Sequence, residues 1–247
     1  MGKIVLPSSH PFIGIAEKLN RSNEDIRNLQ SEIATFFNES EYPILSNDNQ
    51  KIIPEALEYH KKRHIPLRFG VLSGEIIHHL QSCLDHIVWQ FSDATFREVP
   101  KNRRFIEFPI LDKPPSDVFT QYERKIEGIT NAAVRSLIAE CQPYKGPNPN
   151  ESLLLAIHNM DVVDKHRELV IVASTGALEM PIELWKQYEN KELPISTIGA
   201  NFQHHGKIIP QVAFSDFCGT ESEIVIQALE QMHNEVIRLV RSFDKFL

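Results

Sequence analysis

The chain has 247 residues, 42% of them hydrophobic and 24% charged, and a net charge of -7 from 26 Lys+Arg against 33 Asp+Glu. That balance describes a globular chain long enough to bury a large core, and it excludes a disordered, fibrous or nucleic-acid-coating polycation. Three isolated cysteines, Cys83, Cys141 and Cys218, supply neither a disulfide framework nor a zinc ribbon and fit a reducing compartment.

No apolar run reaches the roughly 18 residues of a membrane span. The opening MGKIVLPSSHPFIG lacks a basic segment followed by an apolar one, so a cytoplasmic protein without membrane contact is expected. Residues 11–38 place Ile15, Leu19, Ile26, Leu29 and Ile33 at helical spacing, with Ser22 and Asn23 as a break or cap. Residues 41–54 (EYPILSNDNQKIIP) read as strand, turn and strand, and residues 60–64 (HKKRH) are basic. Residues 72–91 form the clearest helix, with Gly74 near its start and no proline. A second basic stretch spans residues 97–104, and RFIEFPI at residues 104–110 reads as a strand with Pro109 at an edge.

Pro114 and Pro115 stop that strand, Ser116 or Asp117 caps a helix over residues 118–127, and Gly128 ends it. A helix over residues 131–141, a loop over 142–152 and a strongly apolar helix over 153–169 with Asn150 as cap come next. Strands at residues 170–174 and 208–217 flank a mixed region that includes His204 and His205, and a long helix covers residues 220–247. Without repeats or a linker, the pattern predicts one domain over residues 1–247. Its class is α+β, predominantly helical with a small antiparallel sheet and long helices at both ends.

The chemistry concentrates on two helices. At 100° per residue, Ile76, Leu80, Cys83, Leu84, Ile87 and Phe91 share one side of the 72–91 helix. Glu75, His79, Ser82 and His86 share another side, and His78 and Asp85 form an adjoining line. Imidazoles, carboxylates and a hydroxyl on one helix are groups that exchange protons, bind phosphate or ligate metal; the plain alternative is a solvated face. The 153–169 helix is apolar over most of its circumference yet ends in Asp161, Asp164, Lys165, His166 and Arg167. Basic residues there suit the negative end of the helix dipole, which leaves the two aspartates unexplained. Cys83 sits on the apolar side, as a packed thiol rather than a nucleophile. Neither a phosphate-cradling G-x-x-x-x-G-K-[ST] or G-x-G-x-x-G loop nor a G-x-S-x-G elbow occurs.

HHLQSCLDHIVW (His78 to Trp89), FPI (Phe108 to Ile110), QPY (Gln142 to Tyr144) and DKHR (Asp164 to Arg167) follow one another along the middle of the chain. In this order they resemble a group of uncharacterised bacterial proteins with an HNLRSALDH-type helix, a resemblance that implies a shared site but no named activity. The first helix is also similar to HEPN-type ribonucleases, helical proteins with an arginine and a histidine on a helix lining a dimer cleft. His86 matches that histidine, whereas Gln81 stands in the arginine's place.

The two helices are therefore expected to pack with their polar faces around one cleft holding His78, His79, Asp85, His86, Asp164, His166 and Arg167. In it His86 is the acid–base group, Asp85 or Asp164 orients it, and Arg167 stabilises developing charge on a phosphodiester without metal or cofactor. Lys165, Arg103 and Arg104 would contact RNA or another phosphate-bearing ligand, and the protein would be a homodimer. Two other classes remain open. One is a non-enzymatic interaction module whose polar cluster fixes the fold and whose last helix dimerises. The other is a metal enzyme using His79, His86 and His166, or the pairs Glu75/His78 and Glu230/His233.

Overall fold

Helix α2, Leu67–Phe91, is the hub of the protein. Its apolar side chains recur every three to four residues, and Ile76, Ile77, Leu80, Leu84, Ile87 and Val88 are wholly buried. Each such side chain stabilises the fold by about 1.5–3 kcal/mol relative to exposure. The helix begins five residues before the sequence pattern suggests, so Gly74 lies in its interior. It ends at Ser92, whose backbone N–H and hydroxyl both donate to the carbonyl of Val88, at 3.0 and 2.8 Å. In this computed structural model the described residues are 3–38, 65–115, 121–166, 172–179, 207–214 and 223–247.

Three long helices pack on α2. Helix α1, Ile13–Asn38, runs without a break through Ser22, whose hydroxyl donates to the carbonyl of Lys18 one turn back instead of capping. After α2 come two short helices, α3 (Ala94–Glu98) and α4 (Pro100–Arg103), then α5 (Gln121–Ile126) and α6 (Ala132–Glu140). Asn131 caps α6 by accepting from the N–H groups of Ala133 and Val134. Helix α7, Leu153–His166, starts behind Ser152, and the expected cap Asn150 lies in a 3-10 turn before it. Helix α8, Val225–Asp244, closes the bundle against α1, α2 and α7. It buries its apolar stripe inside the chain, from Val225 through Met232 and Val236 to Phe243, so that stripe is not left over for dimerisation.

The protein is predominantly helical. Val172–Glu179 (β1) and Lys207–Phe214 (β2) pair antiparallel, with Val172 opposite Phe214, as a two-stranded ribbon. Beyond two isolated bridges, no other strand pairing occurs among the described residues, so no sheet forms a layer of the core. The expected strand at residues 104–110 is not one. Its backbone is held by side chains. Asp85 accepts from the N–H of Phe108 at 3.0 Å, and Gln142 accepts from Leu111 at 3.0 Å while donating to the carbonyls of Pro109 and Ile138 at 2.8 and 3.0 Å. These side chains satisfy the buried backbone groups that a neighbouring strand would otherwise pair. No helix among the described residues is long and apolar enough to cross a membrane.

The expected hairpin at residues 41–54, the basic run 60–64, the caps Ser116 and Asp117, Cys218, His204, His205 and Arg167 lie outside the described residues.

Candidate functional site

Asp161 is the centre of the site. It sits near the end of α7, on the side that meets α2, and its side chain is only 5% exposed. An isolated carboxylate at such depth costs several kcal/mol, so it requires partners. It has two. Nδ1 of His78 lies 2.9 Å from Oδ1, and Nζ of Lys165, one turn along α7, lies 2.7 Å from Oδ2. The His78 side chain is 49% exposed. With Nδ1–H donated to Asp161, Nε2 is the ring nitrogen left to exchange a proton.

Asp164, one turn beyond Asp161, lies against Gly74 of α2, the only residue type whose missing β-carbon leaves room for it. Burial pushes its carboxyl above the ordinary value, and the nearby Asp161 pushes it the same way. His158, one turn before Asp161, is held below the ordinary imidazole value first by burial and then by Lys125. Lys125 itself pairs with Glu107 at 3.1 Å. Asp161 and His158 were not among the expected site residues. The spacing Asp161–Lys165, four apart on one helix face, was the available signal for the first; nothing in the sequence singled out His158.

The other expected residues do not join this group. His79 and His86 lie on the side of α2 that meets α1, where Lys18 donates to Ser82 at 2.9 Å. Burial first, and Lys18 second, hold both imidazoles below the ordinary value. Nδ1 of His79 is buried without a hydrogen-bond partner. Asp85 does not orient His86; Oδ1 accepts from Phe108 and from Gln81 Nε2, and burial lifts its carboxyl to about 6. The single expected cleft is thus divided among three faces of α2, because α1, α7 and the 104–110 segment each cover one. The helix carrying His166 ends at that residue. Cys83 is fully buried, and burial pushes its thiol up to about 12, as a packed residue requires.

Arg103 and Arg104 lie in a surface cluster at the other end of α2. Arg97 stands over the ring of Trp89 at 5.5 Å, Arg103 Nε donates to the carbonyl of Arg97 at 2.8 Å, and Arg104 and Arg124 stand over Phe105 at 4.7 and 3.6 Å. Among the described residues none of these four has an acidic partner, whereas Arg21, Arg68, Arg135 and Arg238 all do. Trp89 falls on the same line of α2 as His78 and Asp85, about 16 Å along the axis from His78.

No group of three or more His, Cys, Asp or Glu among the described residues is placed to hold a metal ion. The pair Glu230/His233 is split, since His233 is buried with Nε2 2.9 Å from the carbonyl of Leu19 while Glu230 faces solvent. Comparison with protein-family models, with curated proteins and with solved structures finds no match.

Proposed function

We propose that this protein cleaves the phosphodiester of an RNA strand by acid–base chemistry without a metal, with His78 as the base. The observation that carries the reading is the half-exposed imidazole of His78 held by the buried carboxylate of Asp161. A carboxylate on Nδ1 fixes the tautomer and leaves Nε2 as the nitrogen that takes a proton. In this reading Nε2 takes the proton of the ribose 2′-hydroxyl, the 2′-oxygen bonds to phosphorus and the bond to the 5′-oxygen breaks. Asp164, whose carboxyl is held in its neutral form more readily than usual, returns a proton to the leaving oxygen. Arg97, Arg103, Arg104 and Arg124, which have no acidic partner among the described residues, hold the strand by its phosphates. In this reading the acid–base role expected of His86 passes to His78, because burial and the nearby positive charge of Lys18 both disfavour a protonated His86.

The test is cleavage of a 5′-labelled single-stranded RNA in excess chelator, with products resolved for a 2′,3′-cyclic phosphate. His78→Ala is expected to slow cleavage by about 100-fold or more, and His86→Ala to leave it within a few fold. Absence of cleavage by the wild-type protein, or equal rates for wild type and His78→Ala, overturns the reading.

A second reading is favoured by a separate observation. Asp85 of the first motif and Gln142 of the QPY motif each bond to the FPI segment or the residue after it, and Tyr144 N–H reaches the carbonyl of Leu111 at 3.3 Å. Three of the four motifs that carry the sequence resemblance interlock as structure. On that footing the polar groups fix the fold of a non-enzymatic interaction module, and a homodimer would use a surface other than the buried stripe of α8. Substitutions at His78 and Asp161 that lower stability in a protein inert toward RNA would favour it.

A further inference from the structure

The segment Lys3–Phe12 lies as a strap across α1 and α8 and is pinned at two places. Near one end, the amide of Asn20, 7% exposed, accepts from the N–H of Ile4 and donates to its carbonyl, both at 2.8 Å. Near the other, His10 Nε2 lies 3.2 Å from Asp244 at the end of α8, and His10 Nδ1 accepts from the N–H of Phe12 at 3.1 Å. Between the pins the strap spans a cavity of about 220 Å3 walled by Ile4, Leu6, Phe12, Leu19, Ile237 and Val240.

The cavity is a groove open to solvent along one side, and its lining is mostly apolar. The two pins hold the strap's backbone over the helices on either side of this groove. Apolar cavities of about 150 Å3 hold one benzene, so this one holds about nine non-hydrogen atoms. The mouth is charged. Asp244 is turned to His10, and Arg241, one turn earlier on α8, has no acidic partner among the described residues.

We propose that this cavity binds a medium-chain alkyl carboxylate, its chain between the strap and helices α1 and α8 and its carboxylate on the guanidinium of Arg241. An arginine fork at the rim matches a carboxylate in charge and geometry. The walls offer the chain no polar group, so affinity grows with each buried methylene until the cavity is full. The site is independent of the one built around His78.

Titration calorimetry of the whole protein with hexanoate, heptanoate and octanoate, and with 1-octanol, tests this. The expected result is saturable one-to-one binding of octanoate that weakens about fourfold for each methylene removed. Arg241→Gln is expected to lower the preference for octanoate over 1-octanol about fivefold while leaving 1-octanol binding unchanged. Ala16→Phe, which fills the cavity from α1, is expected to abolish both. No saturable binding by the wild-type protein, affinity independent of chain length, or an octanoate preference unchanged by Arg241→Gln overturns the proposal.

Discussion

The carboxylate of Asp164 rests on the bare α-carbon of Gly74: a β-carbon there would fall 2.2 Å from Oδ1 and 2.5 Å from Cγ. Gly74→Ala is expected to cost up to about 1 kcal/mol, since the Asp164 side chain must swing away from the new β-carbon. In an Asp164→Ala background the same change is expected to be neutral or to stabilise by up to about 1 kcal/mol, as alanine is the better helix former. Urea denaturation of the four proteins measures the coupling, and equal costs in both backgrounds would remove the contact from the account.

Asp161 joins two groups, His78 and Lys165, so its loss leaves both unmatched. Asp161→Ala is expected to destabilise the fold by about 1 kcal/mol, since His78 and Lys165 are nearly half exposed and water takes over their bonds, and Asp161→Asn by less. If His78 and Lys165 made no use of Asp161, the two variants would unfold with the wild type.

Asp85 gives the protein a pH dependence of defined sign. Its carboxyl is lifted from 3.8 to about 6 by burial, so between those values the folded protein keeps a proton that the unfolded chain has released. Stability from this group is full below about pH 4 and falls as the pH rises through about 6, by about 2–3 kcal/mol in all. Asp85→Asn retains an acceptor for Phe108 and removes the titration. The difference between wild-type and Asp85→Asn stability, followed from pH 4 to 7.5, is expected to shift in favour of Asn as the pH rises; a flat difference contradicts the assignment.

The arginine cluster predicts a salt effect. If Arg104 and Arg124 each neutralise a phosphate, replacing both by alanine reduces the slope of log affinity against log salt by about 1.4 for single-stranded RNA. Fluorescence anisotropy at several salt concentrations reads the slope directly. A slope unchanged in the double variant would show that the strand does not run over Phe105.

The long helices were legible because periodicity reports burial: the spacing of Ile76, Leu80, Leu84 and Ile87, or of Val225, Met232, Val236 and Phe243, leaves one choice of inner face. The meeting of residues 72–91 with 153–169 was legible for the same reason, since both carry polar groups where a buried helix needs partners. Which polar groups meet was not. Lys18 draws the surroundings of His79 and His86 toward α1, and Asp85 is taken by a backbone N–H from residue 108, contacts that no local pattern records. The β-branched and aromatic run at 104–110 failed as a strand because strand propensity measures fit to a half-buried surface, which helices and clamping side chains supply as well as a sheet does.

The clasp at residues 108–111 has a kinetic meaning. Its amides bond to Asp85 and Gln142, 23 and 31 positions away in sequence, and those carriers lie on or beside helices that must already be in place. Closure is therefore expected late in assembly, and refolding and unfolding rates of Gln142→Ala test it. Weakening it at Gln142 would shorten the lifetime of the native state while barely altering how quickly that state is reached.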